Sequence, residues 1–167
     1  MARLAQTTQT IKRIFIASPG DLSDERTLFP QILDKLNRVK ASAMAVHLEP
    51  LGWEDRPPGM GRPQAQINED VEKCDLFVML LWKRWGTPPG GNSPYSSGTE
   101  EEYELARRLY SDRKTPDIYL YFREVREEML ADPGEQLRKV LDFRKRIEEE
   151  RALFFKPTQP HRNGKTY

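Results

Sequence analysis

The sequence predicts an α/β fold with a parallel sheet, and three observations carry that prediction. Apolar segments of strand length alternate along the chain with amphipathic segments of helical period. One of them, Leu76 to Trp82, is almost continuously hydrophobic, as a central parallel strand is when helices cover both of its faces. The connections are of a length that suits βαβ units, whose crossovers are right-handed. The expected architecture is a three-layer sandwich around five parallel strands in the flavodoxin-like order 2-1-3-4-5.

Each element has its own justification. Ile11 to Ala17 is β-branched and aromatic and reads as a buried first strand, stopped by the Pro and Gly of Ser18-Pro19-Gly20-Asp21. Ser23 is placed to cap the first helix, with Asp24 and Glu25 favourable at its N-terminal end. Leu28, Ile32, Leu36 and Val39 are expected to form its inward face, and Pro30 to kink it or delay its start. Ala43 to Leu48 is the second strand, and Glu49 to Arg62 a loop rich in Pro and Gly. Pro63 suits the first position of a second helix that buries Ile67, Val71 and Cys74. Lys83 to Ser97 is a loop, followed by a helix with Tyr103, Ala106, Leu109 and Tyr110 on one side. Asp117 to Arg123 is the fourth strand. Glu135 to Arg151 is a charged helix with Leu137, Val140, Leu141 and Ile147 inward and i,i+4 ion pairs outward, and Ala152 to Phe155 is a short fifth strand.

Composition narrows the function. The chain has 167 residues, enough for one domain with a sizeable core, and 32% of them are charged while the net charge is only +1. That balance gives no argument for binding nucleic acid or an anionic membrane. No segment approaches the roughly 20 apolar residues of a membrane span, and Met1 to Thr10 lacks the apolar core of a secretory signal. Cys74 is the one cysteine, consistent with a cytoplasmic location, and His47 and His161 have no neighbours at metal-ligand spacing, so no metal site is expected.

The two strongest apolar strands, the first and third, belong side by side at the centre. Ligands of open α/β sheets bind beyond the carboxyl ends of such strands. Ser18, Pro19, Gly20 and Asp21 then lie beside the loop from Trp82 to Thr99. At the end of that loop Glu100, Glu101, Glu102 and Glu104 crowd the first turns of the next helix. Thr99 and Glu102 have the spacing of a capping box, so Glu102 is either a cap or a chemical group, or both. There is no GxxxxGK[ST], no GxGxxG and no GxSxG, which removes phosphate-loop enzymes and serine hydrolases of the elbow type. Ser18 suits a hydrogen bond to a ligand or to its own turn rather than nucleophilic attack. A carboxylate beside small hydroxyl residues suits a transition state that gains positive charge, as in cleavage of a sugar C–N or C–O bond. Trp53, Trp82 and Trp85 are the rings available to stack on a base, with Trp82 more readily read as core and Trp53 and Trp85 evenly balanced.

Ile14-Phe15-Ile16-Ala17-Ser18-Pro19-Gly20-Asp21-Leu22 with Glu25-Arg26 resembles the opening of a TIR-like family of uncharacterised domains, often fused to NTPase and repeat modules. Gly52-Trp53-Glu54-Asp55, Ile67 to Asp75, Leu81-Trp82, Arg84-Trp85-Gly86 and Ser97-Gly98-Thr99-Glu100-Glu101-Glu102-Tyr103 continue the resemblance. It implies a flexible arm at 1–11, a TIR-like domain at 12–157 and a linker to a sensor or other module at 158–167. TIR NADases resemble this layout, and nucleoside deoxyribosyltransferases are similar at Gly-Thr-x-x-Glu followed by Ala, which Gly98 to Glu102 and Ala106 match.

The resemblance implies that Glu102 is catalytic and that Ser18, Pro19, Gly20, Asp21, Trp53, Trp82, Trp85, Gly86, Ser97 and Thr99 bind substrate. It also implies NAD as substrate, no separate cofactor, and a bacterial antiphage or immune signalling role activated by self-association. The loop Glu54 to Arg62 would serve assembly. The sequence departs from TIR domains in lacking the aromatic after the first strand's serine and the Trp-Cys before the glutamate. A non-enzymatic homotypic assembly module and an N-glycosidase or transferase acting on other nucleosides or nucleotides stand as alternatives.

Overall fold

The computed structural model describes residues 8–52 and 64–150. Its sheet has four parallel strands, β1 (Thr10–Ala17), β2 (Val46–Leu51), β3 (Leu76–Leu81) and β4 (Asp117–Phe122), in the order β2-β1-β3-β4. The α/β class and the first four places of the expected order are as read from the sequence. Among the described residues the sheet has four strands, not five; the expected fifth, Ala152 to Phe155, lies outside them.

Register assigns the two faces. Phe15 and Ala17 pair with Phe77 and Met79, and Phe77 with Ile118, so these side chains share one face. Helices α2 (Gln64–Lys73), α3 (Gly98–Arg113) and α5 (Glu135–Glu149) supply Val71, Tyr103, Leu105, Ala106, Val140, Phe143 and Ile147 to the same core. Phe143 contacts three rings there: Trp85 at 5.1 Å, Tyr103 edge-on at 5.2 Å and Phe122 at 6.3 Å. The sequence reading had Leu141 inward and did not single out Phe143; Phe143 is buried and Leu141 half-buried.

The opposite face carries Ile14 and Ile16, with Val78 and Tyr119 in register beside Ile16. Helix α1 (Ser23–Leu36) lies against β2 and contributes the buried Leu33. Tyr119 and Tyr121 remain exposed, so β3 alternates between buried and half-buried residues and is not covered equally on both faces. Helix α1 starts after a 3-10 turn, Gly20–Leu22, and Ser23 is its first residue rather than a cap. Pro30 is accommodated within it at the loss of one backbone donor. The expected inward face is reversed: Leu28, Ile32, Leu36 and Val39 all point to solvent.

The second strand also begins later than expected. Ser42–Met44 is a 3-10 turn, Ala45 is left-handed (φ 53°), and only then does β2 start. It continues through Pro50, which the sequence reading had put in a loop. Strand β2 is an edge, where a missing N–H on the outer side costs no ladder bond. The same edge is protected at Leu48, whose N–H donates to Asn37 Oδ1 (2.7 Å) and whose carbonyl accepts from Asn37 Nδ2 (2.8 Å). Asn37 lies in a π turn, Asn37–Ala41, that closes α1. A short helix α4 (Glu127–Ala131), not read from the sequence, precedes α5. On α5 the expected i,i+4 pairs form between Lys139 and Glu135, Arg144 and Glu148, and Lys145 and Glu149.

Candidate functional site

The loops after β1 and β3 meet at the carboxyl end of the sheet. Asp21 Oδ2 accepts from the backbone N–H of Lys83 (3.0 Å) and of Arg84 (3.1 Å), latching the two loops together. A carboxylate is needed because two convergent N–H donors leave an anion well satisfied. The other oxygen, Oδ1, and Ser18 Oγ are buried with no hydrogen-bond partner. Pro19 is buried and Gly20 exposed.

Trp82 leaves β3 and is half-buried. Its indole N–H donates to the Glu124 carbonyl (3.1 Å), while Lys83 Nζ lies 3.6 Å and the Arg123 guanidinium carbon 4.2 Å from its ring. Arg123 also pairs with Glu25 of α1. The end of β4 is thereby tied to β3 and to α1.

Trp85 has a structural task. It is buried against Phe143, and its indole N–H donates to Ser96 Oγ (2.7 Å), which donates in turn to Glu100 Oε2 (2.7 Å). Gln136 Oε1 accepts from the N–H groups of Trp85 (2.9 Å) and Gly86 (3.0 Å), fastening the loop to the start of α5. Gly86 has φ +102°, a backbone conformation that favours glycine. Sequence reading missed Gln136, since nothing local marks a contact fifty residues away.

Helix α3 opens differently from the Thr99/Glu102 capping box expected. Ser97 is the cap: its hydroxyl accepts from the Glu100 N–H (3.0 Å), and the Glu100 carboxylate accepts from the Ser96 N–H (2.8 Å). The box is shifted two residues toward the N-terminus because Gly98 and Thr99 already have helical geometry. Glu101 is occupied too, accepting from Asn68 Nδ2 (2.8 Å) and Ser93 Oγ (2.7 Å). Glu104 pairs with Arg107 and Arg146. Glu102 is the buried member of the four, 8% exposed, and shares the buried side of α3 with Thr99, Tyr103 and Ala106.

Two groups on this core face titrate far from their ordinary values. Burial pushes Tyr103 up to about 12, and burial together with Asp75 pushes Cys74 up to about 12. A cavity of about 230 Å³ between α3 and α5 is lined by Trp85, Ser96, Glu100, Lys139, Asp142, Phe143 and Arg146. Another of about 370 Å³ lies between Lys83 and the start of α5. Glu102 lines neither. Trp53 and the loop Glu54 to Arg62 lie outside the described residues.

Residues 13–163 match the family described as Domain of unknown function (DUF4062). The chain belongs to this family. The match takes in β1 from Arg13 onward and the described strands and helices that follow it, and includes the latch at Asp21, the Trp82 cluster and Glu102. No curated protein and no solved structure matches the chain. Among the described residues no helix is long and apolar enough to cross a membrane, and no group of three or more His, Cys, Asp or Glu is placed to hold a metal ion.

Proposed function

We propose that this DUF4062 domain is a TIR-like effector that cleaves the nicotinamide–ribose bond of NAD, with Glu102 as the catalytic residue. One observation carries the reading: Glu102 is a buried carboxylate in the second turn of α3, and the capping work there belongs to Ser97 and Glu100. A buried carboxylate outside that cap suits the stabilisation of developing positive charge. Breaking the C–N bond releases neutral nicotinamide and leaves an oxocarbenium-like ribosyl group, which water then captures to give ADP-ribose and a proton. Glu102 would stabilise the developing positive charge or hold the ribose hydroxyls. The Lys83 side chain, which lies over the Trp82 ring, is a cation that suits a pyrophosphate.

The wider reading is a cytoplasmic immune or antiphage protein, activated by self-association and coupled to a sensor module. Nicotinamide release from NAD, measured on concentrated protein with a crowding agent, tests it. Glu102→Gln is expected to lower the rate about a hundredfold or more, as loss of one charge-stabilising group does. Turnover unchanged in Glu102→Gln removes the assignment. Base release from a panel of nucleosides, with NAD left intact, would move the reading to an N-glycosidase or transferase. A second reading, a non-enzymatic homotypic assembly module, is favoured by the apolar side chains that α1 exposes. It predicts association with no turnover of any of these substrates.

A further inference from the structure

Four successive backbone N–H groups in the loop after β3 are held by two side chains. Asp21 Oδ2 accepts from Lys83 and Arg84, and Gln136 Oε1 accepts from Trp85 (2.9 Å) and Gly86 (3.0 Å). Asp21 comes from the neighbouring loop after β1. Gln136 reaches in from the first turn of α5, fifty residues along the chain from Gly86. One carbonyl oxygen that accepts from two consecutive N–H groups fixes two peptide planes at once.

From that clasp two routes lead to the start of α3. The carbonyl of Thr87, the residue after Gly86, accepts from the N–H of Gly98 (3.1 Å), the first residue of the helix. The Trp85 indole N–H donates to Ser96 Oγ (2.7 Å), which donates to Glu100 Oε2 (2.7 Å). Both routes begin at the peptide units that Gln136 holds and end on the first turn of α3. Glu102 stands in the next turn, turned into the core. Its place therefore follows from where the clasp sets that first turn. A misplacement of about 1 Å can cost about a hundredfold in rate, so such a hold bears on catalysis. We propose that Gln136 is a positioning residue for Glu102, acting through the backbone from Trp85 to Thr87. The proposal rests on the reading of Glu102 as the catalytic group in NAD cleavage and adds a residue remote from it in sequence.

The experiment is steady-state NAD cleavage by the 167-residue chain, concentrated with a crowding agent, in the wild type, Gln136→Met and Gln136→Glu. Circular dichroism and urea midpoints establish that each variant is folded in the assay. Methionine has a similar shape and no acceptor for the two N–H groups. Glutamate keeps an acceptor, at a helix start where a carboxylate is favoured. Gln136→Met is expected to lower kcat about tenfold or more while KM changes less than about twofold, as when transition-state stabilisation alone is lost. Gln136→Glu is expected to keep kcat within about threefold of the wild type, because its oxygen accepts from the same donors. A residue that only stabilised the fold would lower the urea midpoint without this split and without this rescue. Should Gln136→Met fail to fold, Gln136→Asn, which draws the oxygen back from the loop, takes its place with the same expectation. A wild type that leaves NAD intact removes the NAD reading and this proposal together. A wild type that cleaves NAD, with kcat unchanged in Gln136→Met, overturns this proposal alone. So does a rise in KM at constant kcat, or a loss in Gln136→Glu as large as in Gln136→Met.

Discussion

At the start of α3 adjacent residues divide the work. Ser97 caps, Glu100 closes the box against Ser96, Glu101 holds Asn68 and Ser93, and Glu102 turns inward. The division is testable at single positions. Ser97→Ala removes the acceptor for the Glu100 N–H and is expected to cost about 1 kcal/mol in urea denaturation. Thr99→Val retains the volume at a position with no capping role, and is expected to cost less than Ser97→Ala. If the order of the two were reversed, the cap would be at Thr99 after all. The sequence showed the cluster of carboxylates and that a cap was needed. It did not show which hydroxyl serves, because Ser96, Ser97 and Thr99 are all of types favoured at a cap. The sequence singles out Asp21 as a candidate. Its hold on the Lys83 and Arg84 N–H groups was not legible, since backbone donors leave no mark in a sequence.

Among the elements, α5 is anchored by Phe143 as well as by Leu137, Val140 and Ile147. The Phe143 ring fills the junction between Trp85 of the loop, Tyr103 of α3 and Phe122 of β4. Phe143→Ala should leave a cavity there and cost about 3–5 kcal/mol, seen as a lower urea midpoint. It should also change the Trp85 fluorescence, because the indole loses its neighbour; a loss below about 1 kcal/mol would mean that α5 is not anchored there. The strand order was legible because apolar strength ranks β1 and β3 as central. The orientation of α1 was not. Leu28, Phe29, Ile32, Leu33 and Leu36 make two adjacent apolar columns on that helix, and periodicity cannot choose between them. Leu33 is the buried one, leaving the Leu28 column outward. The start of β2 was misread for a related reason. Met44 continues the alternating pattern, yet the left-handed Ala45 separates it from the strand.

For the molecule as a whole, one core face holds two ionisable groups that are stable only when protonated. Cys74 and Tyr103 both belong to the cluster beneath α2, α3 and α5. The Cys74 thiol, ordinarily near 9.0, is pushed to about 12 by burial and then by Asp75, against the opposing pull of Arg113. The Tyr103 hydroxyl, ordinarily near 10.0, is pushed to about 12 by burial, with Arg107 pulling the other way. When the chain unfolds above these ordinary values, both groups release protons that the folded state retains. The unfolded state then binds fewer protons, so stability falls as pH rises. The stabilisation is complete below about pH 9 and is lost between there and about pH 12. Each group contributes a slope of at most about 1.4 kcal/mol per pH unit in that window. Urea midpoints measured from pH 7 to 11 should therefore be level at first and then fall. In a Cys74→Ala, Tyr103→Phe double variant the curve should start lower, because the core loses packing, and fall less steeply. An alkaline slope identical to that of the wild type would show that the two groups titrate in the folded domain as they do in water, and that this core face is open to solvent.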